Sequence, residues 1–160
     1  YRDILENEDN IIKQIAIEII LNSLIGKSSK LYQKLYTEGL LMGPLEFYDE
    51  FADEYSHVVI GGQSENPERI NEEIVKVLKT EKVTAENFER NKKALYGEYV
   101  SEYDDVETIG RNFLQDSMKG INCLDYIDAF NKITLDYVNK IQENLFKEEM
   151  SALSIVRKEK

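Results

Sequence analysis

Apolar residues are densest between Asn10 and Ile25. There Ile11, Ile12, Ile15, Ala16, Ile17, Ile19, Ile20, Leu21, Leu24 and Ile25 cover nearly the whole circumference of a helix, leaving Gln14, Glu18 and Asn22 as a narrow i, i+4 polar stripe. Such a helix must be packed on most sides. Isoleucine favours strands, but the length of the segment and its stripe predict helix. Gly26 follows as a C′ residue, and Ser28 or Ser29 is placed to cap a second helix. Leu31, Tyr32 and Leu35 share one face of that helix, and Gly39 ends it.

The period then changes. Leu45, Phe47 and Phe51 alternate with polar residues, and after an acidic turn around Asp53 and Glu54 the run Tyr55-Ser56-His57-Val58-Val59-Ile60 predicts a second strand, antiparallel to the first. Gly61-Gly62 stops it. Asn66 and Pro67 form a cap-plus-N1 signature for a helix with Ile70, Ile74, Val75 and Leu78 on one side. Thr84 caps a long helix to about Tyr103, turning Phe88, Leu95, Tyr96, Tyr99 and Tyr103 inward and Lys92 and Lys93 outward. Asp104 with Glu107 reads as a capping box, opening a helix that carries Val106, Ile109, Phe113 and Leu114 to Gly120. A shorter helix from about Asn122 to Phe130 follows, and Thr134 caps another with Tyr137, Val138 and Ile141. Met150 to Val156 alternates as a returning strand. Three strands with six or seven helices predict an α+β fold, a small and mostly antiparallel sheet packed with several helices.

Length and composition fit that picture. A chain of 160 residues has the size of one domain, 1–160, and would bury about 70% of the surface its unfolded form exposes. With 42% hydrophobic and 32% charged residues and only 2 Pro, the composition is that of a helix-rich globular protein rather than a disordered one. The formal charge of -11 repels nucleic acid and anionic membrane and favours cationic partners. A single cysteine, Cys123, forms no intrachain disulfide and no thiolate metal site, and fits a reducing, cytoplasmic setting. The most apolar segment is interrupted by Lys13, Gln14, Glu18 and Asn22, so no membrane span is predicted. The start at Tyr1, without an initiator methionine and leading straight into helical sequence, suggests a piece of something longer.

Little chemistry is written into these residues. His57 is the one histidine and reads as a strand residue facing water or the helical layer, since a lone imidazole does not hold catalytic zinc. Asp49-Glu50, Asp53-Glu54 and Asp104-Asp105 read as solvated or capping acids, without the glycine and spacing of a calcium loop. Gly61-Gly62-Gln63-Ser64 lacks the residues of a phosphate loop and reads as a strand-to-helix turn. Ser28, Ser29 and Ser64 have no base nearby and read as caps. The tyrosines, among them Tyr32, Tyr36, Tyr48, Tyr55, Tyr96, Tyr99 and Tyr103, read as core residues with the hydroxyl at the edge, a peptide-binding surface being the alternative. Cys123 reads as a small apolar filler. No catalytic, metal-binding or substrate-binding residue is assigned.

The segment from Gly26 to Leu40, G-K-S-S-K-L-Y-Q-K-L-Y-T-E-G-L, set between a helix and two strands, resembles the pitrilysin/insulinase family of zinc peptidases. The likeness is to the non-catalytic, C-terminal half of the bacterial processing-type members. It continues through Ile60-Gly61-Gly62-Gln63-Ser64-Glu65-Asn66-Pro67, Phe88 to Gly97, and Phe130 to Val138 with its I-T-x-x-x-V step. The resemblance implies a clamshell of two α/β halves closing on an unfolded peptide, with first strands upstream of Tyr1. Zinc, its ligands and the general base would lie in an absent half carrying H-x-x-E-H, a motif not present here. Implied partners are that N-terminal half or a homologous subunit, and a peptide substrate; a dimer fits as well. The family's Arg before the Gly-Leu step and Tyr after it, a pair implied to contact substrate, fall on Leu35 or Tyr36 and near Met42, so neither is carried over. Two other readings stand beside this one: an inactive partner or assembly module without chemistry, and an unrelated enzyme pairing His57 with a carboxylate.

Overall fold

A computed structural model of the chain describes residues 10–51, 56–118 and 120–157. The elements run α1 (Asn10–Leu24), α2 (Lys30–Thr37), β1 (Glu46–Phe51), β2 (Ser56–Gly61), α3 (Pro67–Thr80), α4 (Ala85–Ser101), α5 (Val106–Met118), α6 (Asp125–Lys132) and α7 (Leu135–Leu145). Short 3-10 turns lie at Glu102–Asp104 and Glu148–Met150. The α+β class expected from the pattern is what the chain adopts.

Helix α1 runs through the middle, touched by α4, α6, α7 and β1. It buries ten of its 15 residues, and Ala16, Ile17, Ile19, Ile20 and Ile25 have no exposed surface. An all-round apolar helix has no other stable place, because each buried Ile contributes about 1.5–3 kcal/mol relative to exposure. Around it Leu35, Leu78, Val138, Ile141 and Leu145 complete one hydrophobic cluster. Two polar contacts cross that cluster. Asn91 of α4 donates to Ser23 Oγ of α1 at 2.8 Å, and Gln142 of α7 donates to the carbonyls of Leu78 at 3.0 Å and Glu81 at 2.5 Å, tying α7 to the end of α3.

Local chemistry sets most boundaries where the sequence places them. Ser29, rather than Ser28, caps α2 by accepting from the Tyr32 N–H at 3.0 Å. Asn66 accepts from Arg69 N–H ahead of Pro67, while Thr84 and Thr134 accept from the Asn87 and Tyr137 N–H groups. Gly39 ends α2 with φ +68°, and the Leu40 N–H closes back on the Leu35 carbonyl at 3.0 Å. Gly26 is needed for another reason than a left-handed turn: a Cβ there would lie 2.6 Å from the Asn22 carbonyl oxygen. Ser64 accepts from the Asn66 N–H, as a strand-to-helix turn requires.

Strands β1 and β2 pair antiparallel, Phe47 opposite Ile60, Asp49 opposite Val58 and Glu50 opposite His57. Leu45, Phe47 and Asp49 share the less exposed side, while Glu46, Tyr48 and Glu50 are exposed. Asp49-Glu50 therefore lies inside a strand, not at a turn. The acidic turn at Asp53 and Glu54, together with Tyr55, lies outside the described residues.

Five expectations are corrected. The returning strand from Met150 to Val156 does not form: the sheet among the described residues has two strands. Residues 150–154 instead line, together with β2, a cavity of about 570 Å³. The cap of α5 is Asp105, one residue later than expected. Its carboxylate accepts from the Glu107 N–H and the Thr108 hydroxyl, both at 3.0 Å, which holds it below the usual carboxylate range. In α3 the buried position is Val77 rather than Val75, and Tyr96 of α4 and Tyr103 of the turn after it are exposed while Asn91 is buried. Finally, α5 buries none of its residues: Val106, Phe113 and Leu114, expected inward, are 83%, 54% and 64% exposed.

Candidate functional site

The polar stripe of α1 opens onto a cavity of about 570 Å³. Its walls come from α1 (Gln14, Glu18), β1 (Asp49, Glu50), α4 and the following turn (Glu98, Tyr99, Glu102, Tyr103), α5 (Ile109, Asn112, Phe113, Asp116, Met118) and α6 (Tyr126, Phe130). The volume is that of a small-ligand or side-chain site. Among the described lining residues six are carboxylates and none is a lysine, arginine or histidine.

Each acid arrives for a local reason. Glu18 sits in the one stripe that α1 leaves free of apolar residues, and period-2 alternation puts Asp49 on the same side of β1 as Leu45 and Phe47. Glu98 and Glu102 lie four apart at the end of α4, one above the other on the helix surface. Burial, followed by the charges of Asp49, Glu98 and Glu102, pushes the Glu18 carboxyl up from 4.5 to about 7. No hydrogen bond or ion pair reaches that carboxylate from a described residue.

Aromatic rings form the opposite wall. Tyr99 stacks on Tyr126 with centroids 5.2 Å apart, meets Tyr103 edge-on at 5.4 Å and lies 6.2 Å from Phe130. The Tyr99 hydroxyl donates to the Cys123 carbonyl, so Tyr103, 2.7 Å away, must be the donor in the pair of hydroxyls. Tyr126 donates to Gln14 Oε1 at 3.3 Å. Burial raises both phenols, Tyr99 further through its Tyr103 bond and Tyr126 through Asp116 and Glu18, so both stay neutral.

These residues do not fit a catalytic metal. No group of three or more His, Cys, Asp or Glu among the described residues is placed to hold one. His57, on β2, stands opposite Glu50 in the ladder, is edge-on to Tyr48 at 6.4 Å and lines the second cavity. Cys123 lines the acidic cavity as a half-buried free thiol. No helix among the described residues is long and apolar enough to cross a membrane.

Of the residues that sequence reasoning singled out, Asp49, Glu50, Tyr99, Tyr103 and Cys123 meet at this cavity. Glu18 and Tyr126 were missed as site residues. For Glu18 the signal was present: an acid in the only polar stripe of a helix packed on most sides has to face a cavity or a partner.

No protein-family model matches the chain. Over 150 residues it is 28% identical to the uncharacterized zinc protease YmfH of Bacillus subtilis (strain 168), a match that takes in 91% of this chain and 35% of that protein. The chain thus spans about a third of that relative's length. Among solved structures, it superposes on an M16-like peptidase from Alicyclobacillus acidocaldarius with a TM-score of 0.76 and 24% identity, covering 84% of this chain and 33% of that one. The inactive peptidase domain of a zinc protease from Bordetella parapertussis gives a TM-score of 0.77 at 14% identity, covering 93% and 84%. At these identities the structural likenesses speak to the fold.

Proposed function

With sequence and fold both supporting the C-terminal half of the pitrilysin/insulinase-like zinc peptidases, we propose that this chain is the non-catalytic half of a zinc metalloendopeptidase and forms one wall of its peptide chamber. The observation that carries this is the match to a zinc protease over nearly all of this chain but only 35% of that protein, in a sequence with one histidine and one cysteine. Zinc, which in such enzymes polarises the scissile carbonyl and activates a water, would be held by an H-x-x-E-H half outside these residues. This chain's part is to bind and orient. The acidic cavity and the outward apolar side of α5 are surfaces on which an extended peptide can lie. In this reading the two-stranded sheet is completed by strands from polypeptide beyond these residues, and the protein works in the cytoplasm.

The likeness to an inactive peptidase domain favours a second reading, an inactive homologous partner that completes the chamber of an active subunit. One set of measurements tests both. The full-length protein is expected to bind zinc stoichiometrically and to cleave unfolded peptides, whereas these 160 residues should do neither. A full-length protein without H-x-x-E-H that cleaves only when mixed with a homologous subunit supports the inactive partner. Cleavage by these residues unaided would overturn both.

A further inference from the structure

Resting on the reading that this half walls a peptide chamber, we propose that the cavity between α1, β1, α4, α5 and α6 receives one arginine or lysine side chain of the bound peptide, with the Glu18 carboxylate as its counter-charge. The lining brings acids from α1, β1, α4 with its following turn, and α5 and, among the described residues, no cation. Outside the cavity, acids at the end of α2, on α3 and on α7 meet cations: Lys34 with Glu73, Arg69 with Glu38 and Lys82 with Glu143, each at 2.6 Å. A carboxylate drawn out of water without a hydrogen bond is unfavourable, and a cation brought to it relieves that cost. Glu18 is in that position.

The rest of the lining narrows the class of cation. A bare metal ion needs ligands gathered into one sphere, which these acids are not. A guanidinium or ammonium on a long stem has other needs: apolar surface for its methylenes, an aromatic face for its head, and negative charge spread around it. Ile15, Leu95 and Phe130 supply the first, the Tyr99–Tyr126 stack the second, and Glu18 with Asp49, Glu98 and Glu102 the third. Ile109, Phe113 and Met118 of α5 add an apolar rim for the residues on either side of the basic one.

Occupancy depends on pH. Asp49 and Glu50 of β1, Glu98 and Tyr99 of α4, Glu102 of the following turn, Asp116 of α5 and Tyr126 of α6 share the cavity with Glu18. With that carboxyl shifted to about 7, binding of the cation strengthens as pH rises through neutrality, and the bound cation in turn draws the proton off.

The test uses the full-length protein and a fluorescein-labelled, unstructured peptide bearing one arginine between leucine and alanine residues, against the same peptide with citrulline. By fluorescence anisotropy at pH 8 the arginine peptide is expected to bind at least about tenfold more tightly, the usual strength of a charge-assisted contact. That ratio shrinks toward one at pH 5. Glu18→Gln abolishes it, and Glu98→Gln, on the rim, reduces it about two- to threefold. Equal binding of the two peptides, or a preference that survives both substitutions, overturns the pocket. Hydrolysis followed in parallel separates the two ideas. Cleavage indifferent to arginine leaves the peptidase and removes the pocket, while Glu18-dependent binding without cleavage leaves the pocket and removes the peptidase.

Discussion

Helices α1 and α5 have similar lengths, 15 and 13 residues, and both carry apolar side chains at helical spacing, yet α1 buries ten residues and α5 none. The difference lies in how far round each helix the apolar residues extend. A helix that is apolar on nearly every side can only be a core helix, whereas a one-sided face needs a single cover and leaves open which polypeptide provides it. Helix α1 meets its cover within this chain; α5 lines the mouth of the acidic cavity and presents Val106, Leu114 and Met118 to solvent. The sharpest way to break this contrast is truncation. Ile17→Ala or Ile20→Ala should cost about 3–4 kcal/mol in urea denaturation, through lost transfer energy and the cavity left behind. Phe113→Ala and Leu114→Ala should cost less than about 0.5 kcal/mol. Comparable losses on both helices would show that α5 is packed into the core after all.

Glu18 is where the two regions meet, an acid on the core helix facing the cavity that α5 borders. Unfolded, its carboxyl titrates at 4.5; folded, at about 7. Between those values the folded state holds the extra proton, so stability falls as pH rises from about 4.5 to 7 and is level above that. The shift corresponds to a deficit of about 3 kcal/mol at pH 8. Glu18→Gln removes the charge with little change of shape, and should therefore stabilise the protein by up to about 3 kcal/mol at pH 8 and have little effect at pH 4. Melting curves at the two pH values check this. A destabilised variant at pH 8 would mean that the ionised carboxylate is paired in the folded protein.

What could be read from the sequence follows the same division. Elements with short-range causes were legible: the caps at Ser29, Asn66, Thr84 and Thr134, the stop at Gly39, and the core side of α1 all depend on residues within one or two turns. Properties set by distant neighbours were not. Tyr96 and Val106 have the spacing of core residues, but the described residues leave both exposed, Tyr96 with only an edge-on contact to Phe130. The alternation of Met150 to Val156 suits a strand, yet pairing needs a partner edge in register, and among the described residues the sheet is β1 and β2 alone. The acidic site was half visible. Each carboxylate could be placed on its element, but the meeting of Glu18, Asp49, Glu98 and Glu102 is a tertiary fact.

On the core side, Gln142 offers a smaller test of how tightly that region is specified. Its amide donates to two carbonyls at the C-terminal end of α3, satisfying acceptors that a helix end leaves open. Gln142→Leu keeps the volume but leaves the buried Leu78 carbonyl without this donor, and should cost about 2 kcal/mol. The expected fall in Tm would be absent if water replaced the amide.

The smallest effect belongs to the α5 side, through its cap. Asp105 is fully exposed, and its carboxylate holds the Glu107 N–H and the Thr108 hydroxyl. Because these bonds favour the charged form, its pKa is lowered, and the stabilisation is present above the ordinary aspartate range and lost as pH falls through the depressed value. Asp105→Ala should therefore fray α5 near neutral pH, where the native cap is charged. In most helices a lost cap registers in global stability. Here α5 buries nothing, so its first turn can open without disturbing the packing around α1. Hydrogen exchange of the α5 amides should accelerate by about fivefold, the usual strength of a cap, while the α1 amides and Tm stay unchanged. A bound peptide covering Phe113 and Leu114 should restore much of the protection, and that recovery would mark α5 as a surface finished by its ligand. Loss of protection in α1 as well would show that the two helices open together.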